Sequence, residues 1–337
     1  MIHILTLHYV TPAWLEIQKR HILKYTNTED YKVWLGKYKL DIPDDFEIPS
    51  NWEMIDLDKV YPPELGNEHV FQMEWMYDEC VKDKMDSQDI IVFMDNDAFP
   101  CDPAWIDILQ ESLVVENRQG ICVIDRGNRG IAQPDEYWPL PDLCFFGTTK
   151  SARSEYDLKF GIFHPTHQNP GMGMLDRMKV AHQNGARWGI LERTNIFNSH
   201  KVMFGVYGGM IYHQGAGTRG IVGRPFATGG VAPSSIEIVP DNFTEEEKAC
   251  DIFVHSDPDQ PWEYRGATPS VTRQCYSGID LLDRWQLGNW LPDSGEEFEE
   301  ECEDIIEVNT QIFDIIYKAL VSDTDCKFVR RYFLGIP

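Results

Sequence analysis

The stretch DIIVFMDNDAFP, Asp89 to Pro100, decides how the rest of the chain is read. Ile90 to Met94 is an unbroken apolar run with two isoleucines and a valine, the composition of a strand covered on both faces. Asp95 and Asp97 stand at its carboxyl end with Asn96 between them. In an open α/β sheet that edge is where ligands bind. Two carboxylates this close repel unless something positive lies between them, and a divalent cation is the natural occupant. An Asx-rich turn that merely stops a strand uses the same residues. The buried strand ahead of the pair favours the ligand reading.

Before that stretch the pattern alternates between strand and helix. IHILTLHYV reads as a first strand, and TPAWLEIQKRHILKY as a helix with Thr11 as a possible N-cap and Pro12 in its first turn. YKVWLGKY and WEMIDLD read as further strands across a loop rich in Pro and Asp. NEHVFQMEWMYDECVKDKM reads as one helix, with Val70, Met73, Tyr77, Cys80 and Val81 on a single face. The D-N-D strand is therefore the fourth. Strands alternating with helices of this length predict an α/β chain whose open, mostly parallel sheet carries helices on both faces.

Beyond the motif, PAWIDILQESLVVE reads as a helix, GICVID and LCFFGTT as strands, and LDRMKVAHQNG as a helix stopped by Gly185. A last strand is expected at Met210 to His213. A C-terminal helical extension is expected from about Gly295, where Phe298, Cys302, Ile305, Ile312, Ile316 and Ala319 keep the 3.6 period. The best boundary falls in the glycine-rich stretch near 216–240. It divides a core over residues 1–215 from a loop and helical extension over 216–337.

Composition narrows the partners. The 337 residues carry a net charge of −25, which argues against nucleic acid, because phosphate binding needs clustered Lys and Arg. The run Glu296 to Glu307 holds eight acids in twelve residues and reads as a solvated helix face. No basic n-region precedes the short apolar N-terminus, and no window approaches twenty apolar residues, so neither a signal peptide nor a transmembrane segment is expected. The eight cysteines are widely spread with no C-x-x-C pair, which suits reduced thiols in a cytoplasmic protein better than zinc or a disulfide scaffold.

An apolar strand ending in D-x-D after a βαβαβ-like half resembles the nucleotide-sugar glycosyltransferases of the GT-A fold. The resemblance covers residues 1–215 and implies a Rossmann-like catalytic core. In that family the motif holds a divalent metal bridging the donor diphosphate, the base sits near the end of the first strand, and a later histidine often completes the metal site. Carried onto this chain, the resemblance implies Asp95, Asp97 and His213 as metal ligands, with Asp95 and Asn96 also touching the donor. It implies His8 and Tyr9 beside the base, with Thr11 next to them as a donor-binding candidate. His213 lies in IYHQGAG, so Gly215 comes at H-x-G and not at the H-x-x-G spacing of some retaining families.

The chemistry is consistent with that resemblance. Cleaving a sugar–diphosphate bond leaves growing negative charge, which a metal ion neutralises while orienting the donor. Oxygen ligands suit Mg²⁺ or Mn²⁺, and an added imidazole tilts the choice to Mn²⁺. The donor is expected to be UDP- or GDP-linked and the acceptor a glycan or other hydroxyl compound. Arg219 and Arg224 lie in Gly215 to Gly230, a stretch with six glycines expected to close over the diphosphate as a lid. Asp176 in NPGMGMLDRM is the candidate base for the acceptor hydroxyl, or else a first-turn residue stabilising its helix dipole. Asp135, Glu136 and Asp142 are unranked alternatives, and Asn169 stands near where relatives sometimes carry Asp. His164 and His167 are separated by Pro165 and form no helical ligand pair.

Two rival readings stay open. A phosphatase of the haloacid dehalogenase type also places D-x-D after an apolar strand, but normally has Thr or Val where Phe99 stands and uses its first strand. A non-catalytic carbohydrate-binding protein with structural Ca²⁺ is the other.

Overall fold

The computed structural model describes residues 1–10, 12–65, 69–125, 140–161, 171–191, 205–214, 253–256, 262–266 and 320–327. Four parallel strands form its spine: β1 (Ile2–Tyr9), β2 (Tyr31–Tyr38), β3 (Trp52–Asp56) and β4 (Ile90–Asp95). Residues 90–94 are buried throughout, as their unbroken apolar run predicts. After β4 the chain forms the three-residue β5 (Ala98–Pro100). It then continues through β6 (Gly120–Asp125), β7 (Leu140–Thr149) and β8 (Trp188–Leu191) to the hairpin β9 (Gly205–Tyr207) and β10 (Ile211–His213). Two more strands, β11 (Phe253–Ser256) and β12 (Trp262–Gly266), follow.

The large sheet runs in the order β11-β12-β8-β6-β7-β4-β1-β2-β3. Strand β7 is antiparallel to both neighbours and β11 to β12; the remaining pairings are parallel. From β1 the chain moves outward through β2 and β3, then returns to place β4 on the other side of β1. That reversal of strand order falls between β1 and β4, and the carboxyl edge at such a point is where open α/β sheets bind ligands.

Helices cover both faces. On one, α1 (Pro12–Tyr25) and α4 (Ala104–Gln110) bury Leu15, Ile22, Tyr25, Trp105 and Leu109 against Ile4, Val33 and Val92. On the other, α3 (His69–Trp75) and α6 (Gly171–Gln183) place Val70, Met73, Met174 and Met178 against Leu5, Leu7, Ile91 and Phe93. The short α2 (Leu57–Val60) follows β3 directly, and α5 (Lys150–Glu155) follows β7. Gly185 takes φ +88 just past α6, the left-handed stop its position predicts.

Several local expectations are corrected. The helix expected over the whole of NEHVFQMEWMYDECVKDKM is α-helical over His69–Trp75 and continues as a wider π turn over Met76–Val81. The glycine-flanked strand expected at Met210 to His213 starts at Ile211 and is one arm of a hairpin. It is not the last strand, because β11 and β12 follow, and β12 pairs in parallel with β8. Helix α6 opens at Gly171, so Asp176 is its sixth residue and lies past the first turn, where a carboxylate would favour the dipole. Of the expected C-terminal helix, residues 320–322 are helical, and this segment lies on α1: Arg20 donates to the carbonyls of Leu320 and Val321, and Tyr25 Oη donates to that of Cys326. The acidic run 296–307 lies outside the described residues.

Candidate metal centre

Asp95 is the last residue of β4 and lies in register with Leu7 of β1, at the carboxyl edge of the sheet. Asp97 follows on a tight turn and is 4% exposed, so little water reaches a carboxylate that is costly to bury unpaired. The chain then re-enters extended structure. β5 pairs antiparallel with β10, matching Pro100 to Ile211, Phe99 to Tyr212 and Ala98 to His213. Cys101 N donates to Met210 O (2.8 Å), and Gln214 N donates to Asp97 O (3.0 Å), extending the ladder beyond both ends of β5. Phe99 stacks on Tyr212 with ring centroids 4.8 Å apart.

That short ladder delivers His213. Its Nε2 lies 3.4 Å from Asp97 Oδ1, and one ligand atom from each of Asp95, Asp97 and His213 falls within 4.8 Å of the others. Adjacent oxygen or nitrogen ligands of a Mn²⁺ or Mg²⁺ ion stand about 3 Å apart, somewhat closer than these atoms are here. Two carboxylates and an imidazole form a sound donor set for a divalent transition ion, and their mutual repulsion is what such an ion relieves. The hairpin turn itself holds β10 in place. Gly208 and Gly209 take φ +59 and +66, the double left-handed turn that matches strand twist, closed by Met210 N to Tyr207 O at 3.0 Å.

Two further side chains join this cluster that the sequence pattern did not single out. His69, the first residue of α3, places Nδ1 3.5 Å from Asp95 Oδ1. Gln18 of α1, wholly buried, donates its side-chain amide to the carbonyls of Asp95 (2.8 Å) and Ala98 (2.7 Å). The signal for Gln18 was present: it is a polar residue inside the stripe Trp14, Leu15, Ile17, His21, Ile22 that α1 turns to the core. His69 carried no such mark.

The other expected residues separate. His8 is fully buried, with Nε2 2.8 Å from Gln18 Oε1, so its ring presents no open face for a stacked base. Burial lowers its pKa to about 4, and it stays neutral at physiological pH. Tyr9 is 38% exposed and stacks with Tyr38 at 6.0 Å, a flat aromatic surface at the ends of β1 and β2. Asn96 occupies the turn itself. Asp176 stands on α6 and Asp142 on β7. Thr11, Asp135, Glu136, His164, His167, Asn169, Arg219, Arg224 and the stretch Gly215 to Gly230 lie outside the described residues.

No protein-family model matches the sequence, and no curated protein matches it either. Among solved structures, the galactosyltransferase LgtC in complex with donor and acceptor sugar analogues is similar over 45% of this chain and 59% of its own, at 12% identity and TM-score 0.33. S. aureus TarS is similar over 54% of this chain and 55% of its own, at 10% identity and TM-score 0.31. The same protein in complex with UDP-GlcNAc is similar over 54% and 53%, at 9% identity and TM-score 0.30. This chain thus spans just over half the length of the structures it matches, and overlaps this distant assign no role to any of its residues. Among the described residues, no helix is long and apolar enough to cross a membrane.

Proposed function

We propose that this chain is a metal-dependent glycosyltransferase that moves a sugar from a UDP- or GDP-linked donor to a glycan or other hydroxyl acceptor. The observation that supports this most is the convergence of Asp95, Asp97 and His213 at the carboxyl edge of β4, where the strand order reverses. Asp97 and His213 would hold the ion directly, and Asp95 would share it or reach the donor. Bound there, a Mn²⁺ or Mg²⁺ ion would neutralise the charge growing on the departing diphosphate. The imidazole in the donor set favours Mn²⁺ and counts against a structural Ca²⁺ site, which prefers oxygen ligands alone.

The remaining parts of the reading belong to the residues. Tyr9, stacked on Tyr38, offers a platform for the base at the end of β1. Asp176 is the carboxylate proposed to take the acceptor proton, and Arg219 the cation for the diphosphate. Thermal shift with a panel of nucleotide sugars, with and without Mn²⁺, tests the whole. A true donor at a hundred times its Kd stabilises by about 2.7 kcal/mol, and only when the ion is present. Transfer or slow hydrolysis of that same donor should follow. A panel in which none raises the melting temperature and none turns over overturns the proposal.

A further inference from the structure

The turn that carries the candidate ligands is closed by a side chain. Gln18 spans the four residues Asp95 to Ala98, donating to the carbonyl at each end, 2.8 Å to Asp95 O and 2.7 Å to Ala98 O. Both acceptors are backbone carbonyls and can only accept, so both N–H groups of the Gln18 amide face them. Its Oε1 must then accept from His8, which fixes the His8 proton on Nε2, 2.8 Å away. Both side chains are fully buried, where water does not compete for these bonds and a rotated amide would leave buried groups unpaired. From the other side, Gln214 N holds Asp97 O at 3.0 Å, and Gln214 is itself anchored by Tyr212 Oη at 2.6 Å.

We infer that Gln18, oriented by His8, is a positioning residue that holds the Asp95–Asp97 turn in the geometry that binds the divalent ion. The inference rests on the metal reading of that turn. The two bonds pin the carbonyl of Asp95 itself and that of the residue after Asp97. The first fixes the peptide unit that follows Asp95 and the second the unit that follows Ala98, so the turn is held on both sides of Asp97, whose own carbonyl Gln214 N holds. Without the clamp, the turn resists the repulsion of its two like charges with fewer bonds, and the ion must then supply more of the cost of drawing them together. Outer partners that orient ligands are typically worth ten- to a hundredfold in metal affinity.

Mn²⁺ binding, followed by the electron-spin signal of the free ion, tests this on the full chain beside the melting temperature of the metal-free protein. Gln18→Leu should weaken Mn²⁺ binding at least tenfold. Gln18→Glu should do the same, since a carboxylate offers the two carbonyls no donor. His8→Gln keeps an N–H near the Nε2 position and should stay within about threefold of the parent chain, whereas His8→Leu should fall with the Gln18 variants. If Gln18→Leu does not fold, the His8 pair still decides. Variants that melt lower but bind Mn²⁺ as the parent does would show Gln18 to be a packing residue and overturn the inference. A parent chain that binds no Mn²⁺ would instead overturn the metal reading beneath it.

Discussion

Strand β4 has carboxylates at both ends, and the two ends are built in opposite ways. At the amino end, Asp89 is surrounded by donors: the Met1 ammonium at 2.8 Å, the Asp86 N–H at 2.9 Å and His3 Nε2 at 3.2 Å. Burial alone would raise its pKa, but the hydrogen bonds from Met1, Asp86 and His3 outweigh burial and hold it below the usual carboxylate value. At the carboxyl end, Asp95 and Asp97 converge on each other and on His213, with His69 beside Asp95. One end is completed by the chain itself. The other brings two carboxylates and a histidine within reach of one another, the donor set proposed above for a divalent ion. Sites of function are where a protein tolerates such local conflict.

The largest difference between the ends should appear on neutralising one carboxylate at each. Asp97→Asn is expected to lower metal-dependent turnover by about two orders of magnitude or more while leaving the fold intact. Steady-state rates and a melting curve check both halves. Activity close to the parent's at saturating Mn²⁺ would break the assignment.

His213→Ala sharpens the same contrast at lower amplitude. Loss of one ligand should weaken Mn²⁺ at least tenfold, about 1.4 kcal/mol, with little change in metal-free stability. Isothermal titration beside chemical denaturation separates the two. Equal Mn²⁺ affinity would place His213 outside the ion's shell.

At the opposite end the signs reverse. Asp89→Asn should destabilise the fold by about 1–2 kcal/mol, because Met1 and His3 lose a charged partner, and should leave Mn²⁺ affinity untouched. A drop in Mn²⁺ affinity here would show that the ends of β4 are coupled through the strand.

A pH dependence belongs to neither end. His21 is 2% exposed, with Nδ1 3.1 Å from Pro100 O and its ring 4.1 Å from that of Phe99. Burial lowers its pKa to about 3, against about 6.5 in the unfolded chain. The unfolded state therefore binds the proton first as pH falls. The stability His21 contributes is fully present above about pH 6.5 and is lost progressively toward pH 3, by up to about 1.4 kcal/mol per unit. Urea denaturation at several pH values in that window should show the slope, and His21→Leu should flatten it. An unchanged slope in that variant would assign the dependence to other groups.

The outline of this protein is written locally. The apolar run Ile90 to Met94 declares a doubly covered strand, and its two closing aspartates stand at the edge where open α/β sheets bind ligands. The stripe of α1 and the glycine past α6 are equally explicit, because a helix face and a left-handed stop depend on neighbours a few residues away. What the local pattern cannot carry is who meets whom. The sequence shows His213 as a histidine before glycines; it becomes Asp97's neighbour because β5 and β10, three residues each, pair in one register. A ladder that short has no periodicity of its own to read. His8 has the position expected of a rim residue, yet the approach of α1 turns it into the inner partner of Gln18. His69 enters the cluster because α3 packs beside the end of β4. The composition of the site was in the chain; its assembly was decided by pairing across more than a hundred residues, where register and burial, not local propensity, set the distances.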